Sequence, residues 1–575
     1  MAAGPSAQRS EHAERAPIAA EIFLRSLAEH GVDFFFANPG TDFPPIVEAF
    51  SRAKNSNAKV PQPVLVPHEN LAIAMAHGAY LMTGRAQAVM VHVNVGTANT
   101  INNIANLARD RAPIILAAGR TPITEKGSFG SRSRPIHWAQ EMFDQAGMLR
   151  EFVKWDYELR LPEQIGDIVA RAYEMTMTSP RGPVYLVLPR EPLSASLPEF
   201  PASAKPRALP APAYPDPRAI TKLAEWIAGA ERPLIIAGAC GEPGAVQALG
   251  KLAQNWAIPV VCHSPRMLAL SSSHSMHFGF ESGPLLDDID LALVIESDAP
   301  WYPSIKAPPA TCRIAHIGED PVFARYPMRS FRSDLAIAAD PGASLESLNA
   351  ALAARFAGVQ ARIEARRSFL APRAKLRRAK VVKDGEAASD RITPQHLSRA
   401  IGDAVGADAV IFNEYPLHLD HCPRERPGTF FGLSPAGGLG WGLGAALGAK
   451  LAVPEKLVIA AIGDGAYLFS NPTVCHWVGE TYRLPVLTVI FNNSRYGAVR
   501  RATLSMFKDG AAGEDDGNFL ADLSPSPAYD ELARMQGCFA ERVERPSELA
   551  GALARARDAV MNERRQALLN VICPY

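Results

Sequence analysis

Apolar runs of strand length alternate with segments of helical period along almost the whole chain, and this alternation sets the first expectation. Residues 33–37, 64–66, 113–118, 152–155 and 183–188, with a further run beginning at residue 88, read as strands, and helices fall over 18–27 and 71–81. A second set follows at 234–238, 260–261, 291–295 and 313–317, and a third at 410–412, 457–462, 486–491 and the final run from 568. Strands separated by helices make parallel α/β sheets. Residues 192–217 are dense in proline and lack periodicity, which predicts a semi-rigid connector. Residues 358–390 carry apolar positions at helical spacing among many basic ones and predict a linker helix. The division expected is therefore 17–191, 218–357 and 391–575, preceded by a disordered leader over 1–16.

Composition narrows the picture by exclusion. The 575 residues carry 59 basic and 59 acidic side chains, a balance that argues against a nucleic-acid surface, and no apolar run reaches membrane-spanning length. Seven cysteines without paired spacing, in a chain that opens without the apolar core of a signal peptide, predict reduced thiols and a soluble cytoplasmic protein.

Candidate chemistry concentrates between Lys456 and Arg500. An apolar strand stops at Gly463-Asp464-Gly465, a helix follows with Ser470 as its expected N-cap and Pro472 in its first turn, and a second strand stops at Asn492-Asn493. Two parallel strands joined by a right-handed crossover bring Asp464 and Asn493 to neighbouring carboxyl ends, where α/β sheets bind ligands. A carboxylate, an amide oxygen and backbone carbonyls make a hard oxygen site suited to magnesium carrying a phosphate. In order, spacing and strand context, this segment resembles the cofactor motif of thiamine-diphosphate-dependent enzymes, the superfamily of acetohydroxyacid synthase and benzoylformate decarboxylase. The resemblance implies three doubly wound parallel-sheet domains: pyrimidine-binding, middle and diphosphate-binding. It also implies Mg2+ held by Asp464, Asn493 and the Arg495 carbonyl, with Gly463, Gly465, Ala466 and Tyr496 against the cofactor.

The other site residues follow from the same resemblance. Glu69, between a strand and a helix rich in small residues, matches the carboxylate that pairs with the aminopyrimidine and helps the cofactor lose the proton on carbon 2. His92, four residues before Gly96-Thr97, matches an active-site histidine of benzoylformate-decarboxylase-like members, and Thr41, in the turn Asn38-Pro39-Gly40-Thr41, the place of a substrate-contacting serine. In the glycine-rich stretch from Pro435 to Gly448, Gly437 would offer a carbonyl to the aminopyrimidine and Leu439 would wedge between the cofactor rings. His274 matches a loop that brings in a second histidine, and Ala498 and Ala502 are small where relatives carry larger pocket residues.

Ala466 stands where a serine is frequent, Tyr415-Pro416 replaces a more polar turn, and Glu296-Ser297-Asp298 replaces the glycine and arginine of flavin-binding relatives. Flavin adenine dinucleotide is not expected. The resemblance implies a homodimer at least, with a homotetramer expected, acting on a small 2-oxo acid or other carbonyl compound. The leading expectation is non-oxidative decarboxylation. An acetolactate-synthase-type carboligase comes second, and a 2-hydroxyacyl-coenzyme A lyase, disfavoured by a final strand that ends the chain without a lid, third. A flavin-dependent oxidase and a non-catalytic cofactor-binding protein are the remaining alternatives.

Overall fold

A computed structural model describes residues 16–200, 207–388, 390–514 and 519–574. The expected leader, except for its last residue, and the centre of the proline-rich connector lie outside the described residues. Three parallel sheets organise the chain. The first runs, edge to edge, Gln62–Leu65, Phe34–Asn38, Gln87–Val91, Ile114–Arg120, Val184–Pro189, Asp156–Glu158. The second runs Leu335–Ala338, Arg313–Gly318, Leu291–Ile295, Pro233–Ala237, Val260–Val261. The third runs Phe430–Gly432, Val410–Glu414, Val458–Gly463, Leu487–Asn492, Ala567–Ile572, Phe539–Val543. Helices cover both faces, so the central strands are buried and mostly apolar, as parallel sheets require. The doubly wound α/β architecture expected from the sequence is the one observed.

Contacts gather the chain into two compact units. Residues up to Pro210 join Ser434–Val453 in one, and Ala211–Leu433 join the residues from Pro454 onward in the other. Within the first unit, the helix Glu69–Thr83 packs along the helix Gly442–Ala452 with almost no side chain between them. A Cβ at Gly78 would lie 1.9 Å from the Ala445 carbonyl oxygen, and one at Gly448 equally close to that of Met75. The Trp441 indole N–H donates to His77 Nδ1 at 3.0 Å, and burial pushes the His77 ring down to about 3, so it stays neutral and accepts. Gly78→Ala should therefore force the helices apart at a cost of about 1–3 kcal/mol, which a lowered denaturant midpoint would report.

Three local expectations change. Residues 152–155 do not form a strand: single bonds from Lys154 N–H to Pro183 O and from Tyr185 N–H to Trp155 O lead the chain up to the sheet, and the ladder begins at Asp156. The strand from residue 88 stops at Val91, because Asp42 takes the Val93 N–H and the helix Val93–Asp110 starts at once. Ser470 caps no helix start. Asp464 itself opens a helix to Phe469, Ser470 closes it with a hydroxyl bond to Tyr467 O, and Asn471, at φ 57°, turns the chain into Pro472–Thr481.

Candidate active site

In each sheet the winding reverses beside the first strand in chain order, and the crevice at such a reversal is where doubly wound sheets bind ligands. In the first sheet the reversal lies between Phe34–Asn38 and Gln87–Val91. The turn after the one strand carries Asp42 and the end of the other carries His92. Asp42, 3% exposed, accepts the His92 Nδ1–H at 2.5 Å through Oδ1 and the Val93 N–H through Oδ2. This bond holds the His92 ring above the usual histidine range, against the opposing effect of its burial. The ring lies so close to the turn that a Cβ at Gly40 would sit 2.2 Å from Nδ1. Val93, next in the chain, is held at φ 30°, a conformation a β-branched residue adopts only where its surroundings impose it. Thr41 is exposed, its carbonyl accepting from Arg190.

Glu69 opens its helix in the same unit. It is 8% exposed, Asn99 Nδ2 donates to its Oε2 at 3.1 Å, and its charge also favours the protonated His92 ring. The loop Ser434–Trp441 belongs to this unit too. Gly437 takes φ 69°, which only glycine adopts freely, and Leu439 is half-buried.

The second unit holds the third sheet, whose reversal lies between Val410–Glu414 and Val458–Gly463. Asp464, 2% exposed, accepts the Gly465 N–H at 2.9 Å through Oδ1, while its Oδ2 is buried with no hydrogen-bond partner. Burial pushes this carboxyl up to about 6. The two asparagines divide their work. Asn492 is fully buried, donating to Ser526 and Asn570 and accepting from Ser494, so it builds the turn. Asn493 is half-buried, and its Oδ1 accepts the Arg495 N–H. The Tyr496 ring lies against Gly465, and space beside Gly463 is open. Ala466 is buried, whereas Ala498 and Ala502 stand exposed on the helix Gly497–Met506, which buries none of its residues.

An orphaned carboxylate oxygen beside an amide-bearing turn and an open glycine fits a cation that carries its own oxygen ligands. Among the described residues no group of three or more His, Cys, Asp or Glu side chains is placed to hold a metal. Magnesium here would rest on Asp464, the Asn493 amide, the Arg495 carbonyl and the diphosphate.

His274 accepts the Met276 N–H through Nδ1, and its ring rests near Gly250 on the helix Pro243–Trp256. Burial holds it below the usual histidine range, so it is a neutral ring at pH 7.

The middle sheet reverses between Pro233–Ala237 and Leu291–Ile295, and here the crevice is filled from within. Gly238 N–H and Ala239 N–H bond directly across it to the Ile295 and Glu296 carbonyls. Glu296, at φ 45°, turns its carboxylate onto the Glu319 N–H at 2.6 Å. A carboxylate thus occupies the end of the strand Arg313–Gly318, and half-buried Asp298, which despite its burial Arg266 and a Tyr326 hydroxyl bond hold below the usual carboxylate range, adds a second negative charge.

Three domain models match this sequence: the thiamine pyrophosphate enzyme N-terminal TPP binding domain at residues 18–148, the central domain at 220–348 and the C-terminal TPP binding domain at 416–571. The chain belongs to the thiamine-pyrophosphate enzyme family, in the superfamily of acetohydroxyacid synthase and benzoylformate decarboxylase. Within it, the chain is similar to benzoylformate decarboxylase of Pseudomonas aeruginosa, with 26% identity over 92% of this chain and 94% of that one. It is also similar to the acetolactate synthase isozyme 3 large subunit of Escherichia coli, with 24% identity over 95% and 93%. A Rhodococcus jostii thiamine diphosphate-dependent 4-hydroxybenzoylformate decarboxylase shares its fold at a TM-score of 0.77, with 21% identity over 97% and 99%. This is a thiamine-diphosphate-dependent enzyme of the decarboxylase and acetolactate-synthase type. No helix among the described residues is long and apolar enough to cross a membrane.

Reading the sequence missed Asp42, Asn99 and the filling of the middle crevice by Glu296. Asp42 follows Thr41 directly, and the signal that could have found it is the sheet reversal, which sets the turn after one strand beside the end of another fifty residues on.

Proposed function

We propose that this protein catalyses the magnesium-dependent, non-oxidative decarboxylation of a 2-oxo acid to an aldehyde. The observation that carries this reading is the Asp42–His92 pair in the same unit as Glu69. When bound, thiamine diphosphate supplies a nucleophilic carbon and an electron sink for cleavage beside a carbonyl. Asp464, Asn493 and Arg495 would hold the metal and diphosphate, and Gly437, Leu439, Gly463, Gly465, Ala466 and Tyr496 would border the cofactor. Glu69 would hold a proton against the aminopyrimidine nitrogen.

Decarboxylation leaves a carbon that must be protonated before an aldehyde departs, whereas carboligation needs that carbon spared until a second carbonyl arrives. His92 donates Nδ1–H to Asp42, so Nε2 is the atom that can take up and deliver a proton, and the raised proton affinity of the ring favours the charged form that does so. This favours aldehyde release over the carboligase reading. Thr41, Ala498 and Ala502 would border the substrate. His274, neutral and seated in the middle domain, would move a proton only if the loop carrying it reaches the substrate. The carboxylate filling the middle crevice supports a reaction without flavin. A single cofactor needs both the Glu69 and the Asp464 half-sites, and the assembly we expect is a homodimer at least, built into a homotetramer.

Asp42→Asn should lower the His92 affinity for protons, move the alkaline limb of the pH–rate profile to lower pH, and reduce turnover by up to about a hundredfold. The stability that the pair lends the fold is complete below the unfolded histidine value and is lost as pH rises through the raised folded value. An NMR titration of the His92 ring in both proteins checks the shift directly.

Product analysis tests the whole reading. Purified protein with thiamine diphosphate and magnesium is given pyruvate, a branched 2-oxo acid or benzoylformate, each with and without an added aldehyde. Aldehyde and carbon dioxide from the acid alone are expected. Preferential formation of a hydroxyketone or acetohydroxy acid would assign the protein to carboligation instead.

A further inference from the structure

The loop that carries Gly437 and Leu439 is gripped by asparagines of a single helix. Asn106, fully buried, donates Nδ2–H to the Gly438 carbonyl at 2.8 Å and accepts the Gly438 N–H through Oδ1 at 3.0 Å. One planar amide thus pairs with both polar groups of one residue, as a neighbouring strand would. Asn102 Nδ2 donates to the Leu439 carbonyl at 2.8 Å, and the Ser434 hydroxyl at the head of the loop donates to the Asn106 carbonyl at 3.1 Å. The residue gripped must be glycine, since a Cβ at position 438 would lie 2.5 Å from the Asn102 carbonyl oxygen. The grip continues behind Asn106. Its Nδ2 also donates to Asn103 Oδ1 at 2.7 Å, and Asn103 bonds twice to Asn70, through its own N–H to Asn70 Oδ1 and its Nδ2 to the Asn70 carbonyl. Asn70 is the neighbour of Glu69. A chain of amides, with Asn103 and Asn106 fully buried, therefore ties the start of the Glu69 helix to the loop of Leu439.

We propose that Asn106 is a positioning residue that sets the cofactor wedge: by clamping Gly438 it fixes the Gly437 carbonyl and the Leu439 side chain on either side. The proposal rests on the cofactor reading given above. A loop leucine has rotational and backbone freedom that a wedge between two rings cannot tolerate, and a misplacement of about 1 Å can cost on the order of a hundredfold in rate. Asparagine suits the task because its amide offers a donor and an acceptor in one plane. Alanine would leave both Gly438 groups unpaired, and aspartate would set an oxygen against the Gly438 carbonyl. The effect should fall on cofactor geometry and much less on cofactor affinity, because the diphosphate half-site involves none of these residues.

The test is a cycle of four proteins: wild type, Asn106→Ala, Leu439→Ala and the double variant. Three quantities are read in each: the dissociation constant of thiamine diphosphate with magnesium, the rate of deuterium exchange at carbon 2 of the bound cofactor, and the thermal midpoint without cofactor. Asn106→Ala is expected to slow exchange by roughly ten- to a hundredfold with little change in affinity, and to slow it no further once Leu439 is already alanine. Exchange at the wild-type rate in Asn106→Ala, or effects that multiply in the double variant, would overturn the clamp. If Asn106→Ala does not fold, Asn106→Asp, which keeps an acceptor for the Gly438 N–H and loses the donor to its carbonyl, carries the same test. Slower exchange in it supports the clamp and exchange at the wild-type rate overturns it. Slow exchange in Leu439→Ala beside normal exchange in Asn106→Ala would remove the clamp alone, whereas a wild-type protein that binds no cofactor would remove the functional reading and the clamp with it.

Discussion

Replacing Glu69 with glutamine should slow deuterium exchange at carbon 2 of the bound cofactor, and turnover with it, by about 10²–10⁴-fold, while thiamine diphosphate binds nearly as before. Glutamine keeps the volume and one oxygen, so the bond from Asn99 Nδ2 survives and the helix Glu69–Thr83 opens as it does now. What is lost is the charge that, on the reading proposed above, would stabilise a protonated ring nitrogen. The carboxylate is almost wholly buried, so solvent does not replace it. Calorimetry of cofactor binding beside the exchange measurement separates the two effects, and unchanged exchange would take Glu69 out of the mechanism.

The second large effect is expected at Asp464. Asp464→Asn keeps an acceptor for the Gly465 N–H and removes the charge, and the affinity for magnesium and thiamine diphosphate should fall by at least about a hundredfold, beyond what loss of an outer-shell partner costs. The protein without cofactor should move the other way. Its folded carboxyl value, about 6, lies above the ordinary value of 3.8, so the ionised group opposes folding. That opposition is absent below about pH 4, grows through the interval and is complete above pH 6, where asparagine relieves roughly 2–3 kcal/mol. Chemical denaturation of the metal-free proteins at pH 4 and pH 8 checks the sign: equal stability at the lower pH and a more stable variant at the higher. By the same linkage, magnesium binding in the wild type should weaken as pH falls below 6.

Much of this was legible because the fold repeats a local rule. Apolar runs of five or six residues, separated by helical period, announced parallel sheets, and Gly463-Asp464-Gly465 and Asn492-Asn493 announced their own place because each ends a strand. What stayed hidden depends on contacts between distant segments. Asp42 and Thr41 are neighbours in sequence, and nothing in their chemistry says that the carboxylate turns inward to His92 while the hydroxyl residue stays exposed. Pairing across a sheet reversal decides that. The amides of Asn103 and Asn106 were hidden for a related reason: asparagine inside a helix reads as a weak helix former until the loop it holds, more than three hundred residues away, is in place. The helix after Gly465 was misplaced because Ser470 and Pro472 look like a helix start, although they serve a break between two short helices.

The helix Gly497–Met506 grows straight out of the turn that holds Asn493 and Tyr496, and it buries none of its ten residues. A helix of that length gains little from its own hydrogen bonds in water. Its amides should therefore exchange with solvent through local opening, far faster than those of the strand Leu487–Asn492 behind it. A substrate wall built on Ala498 and Ala502 would then not be a rigid mould. Selectivity towards different acyl groups would then be a property of the liganded state, and exchange rates measured with and without cofactor should report how much order a ligand lends this helix.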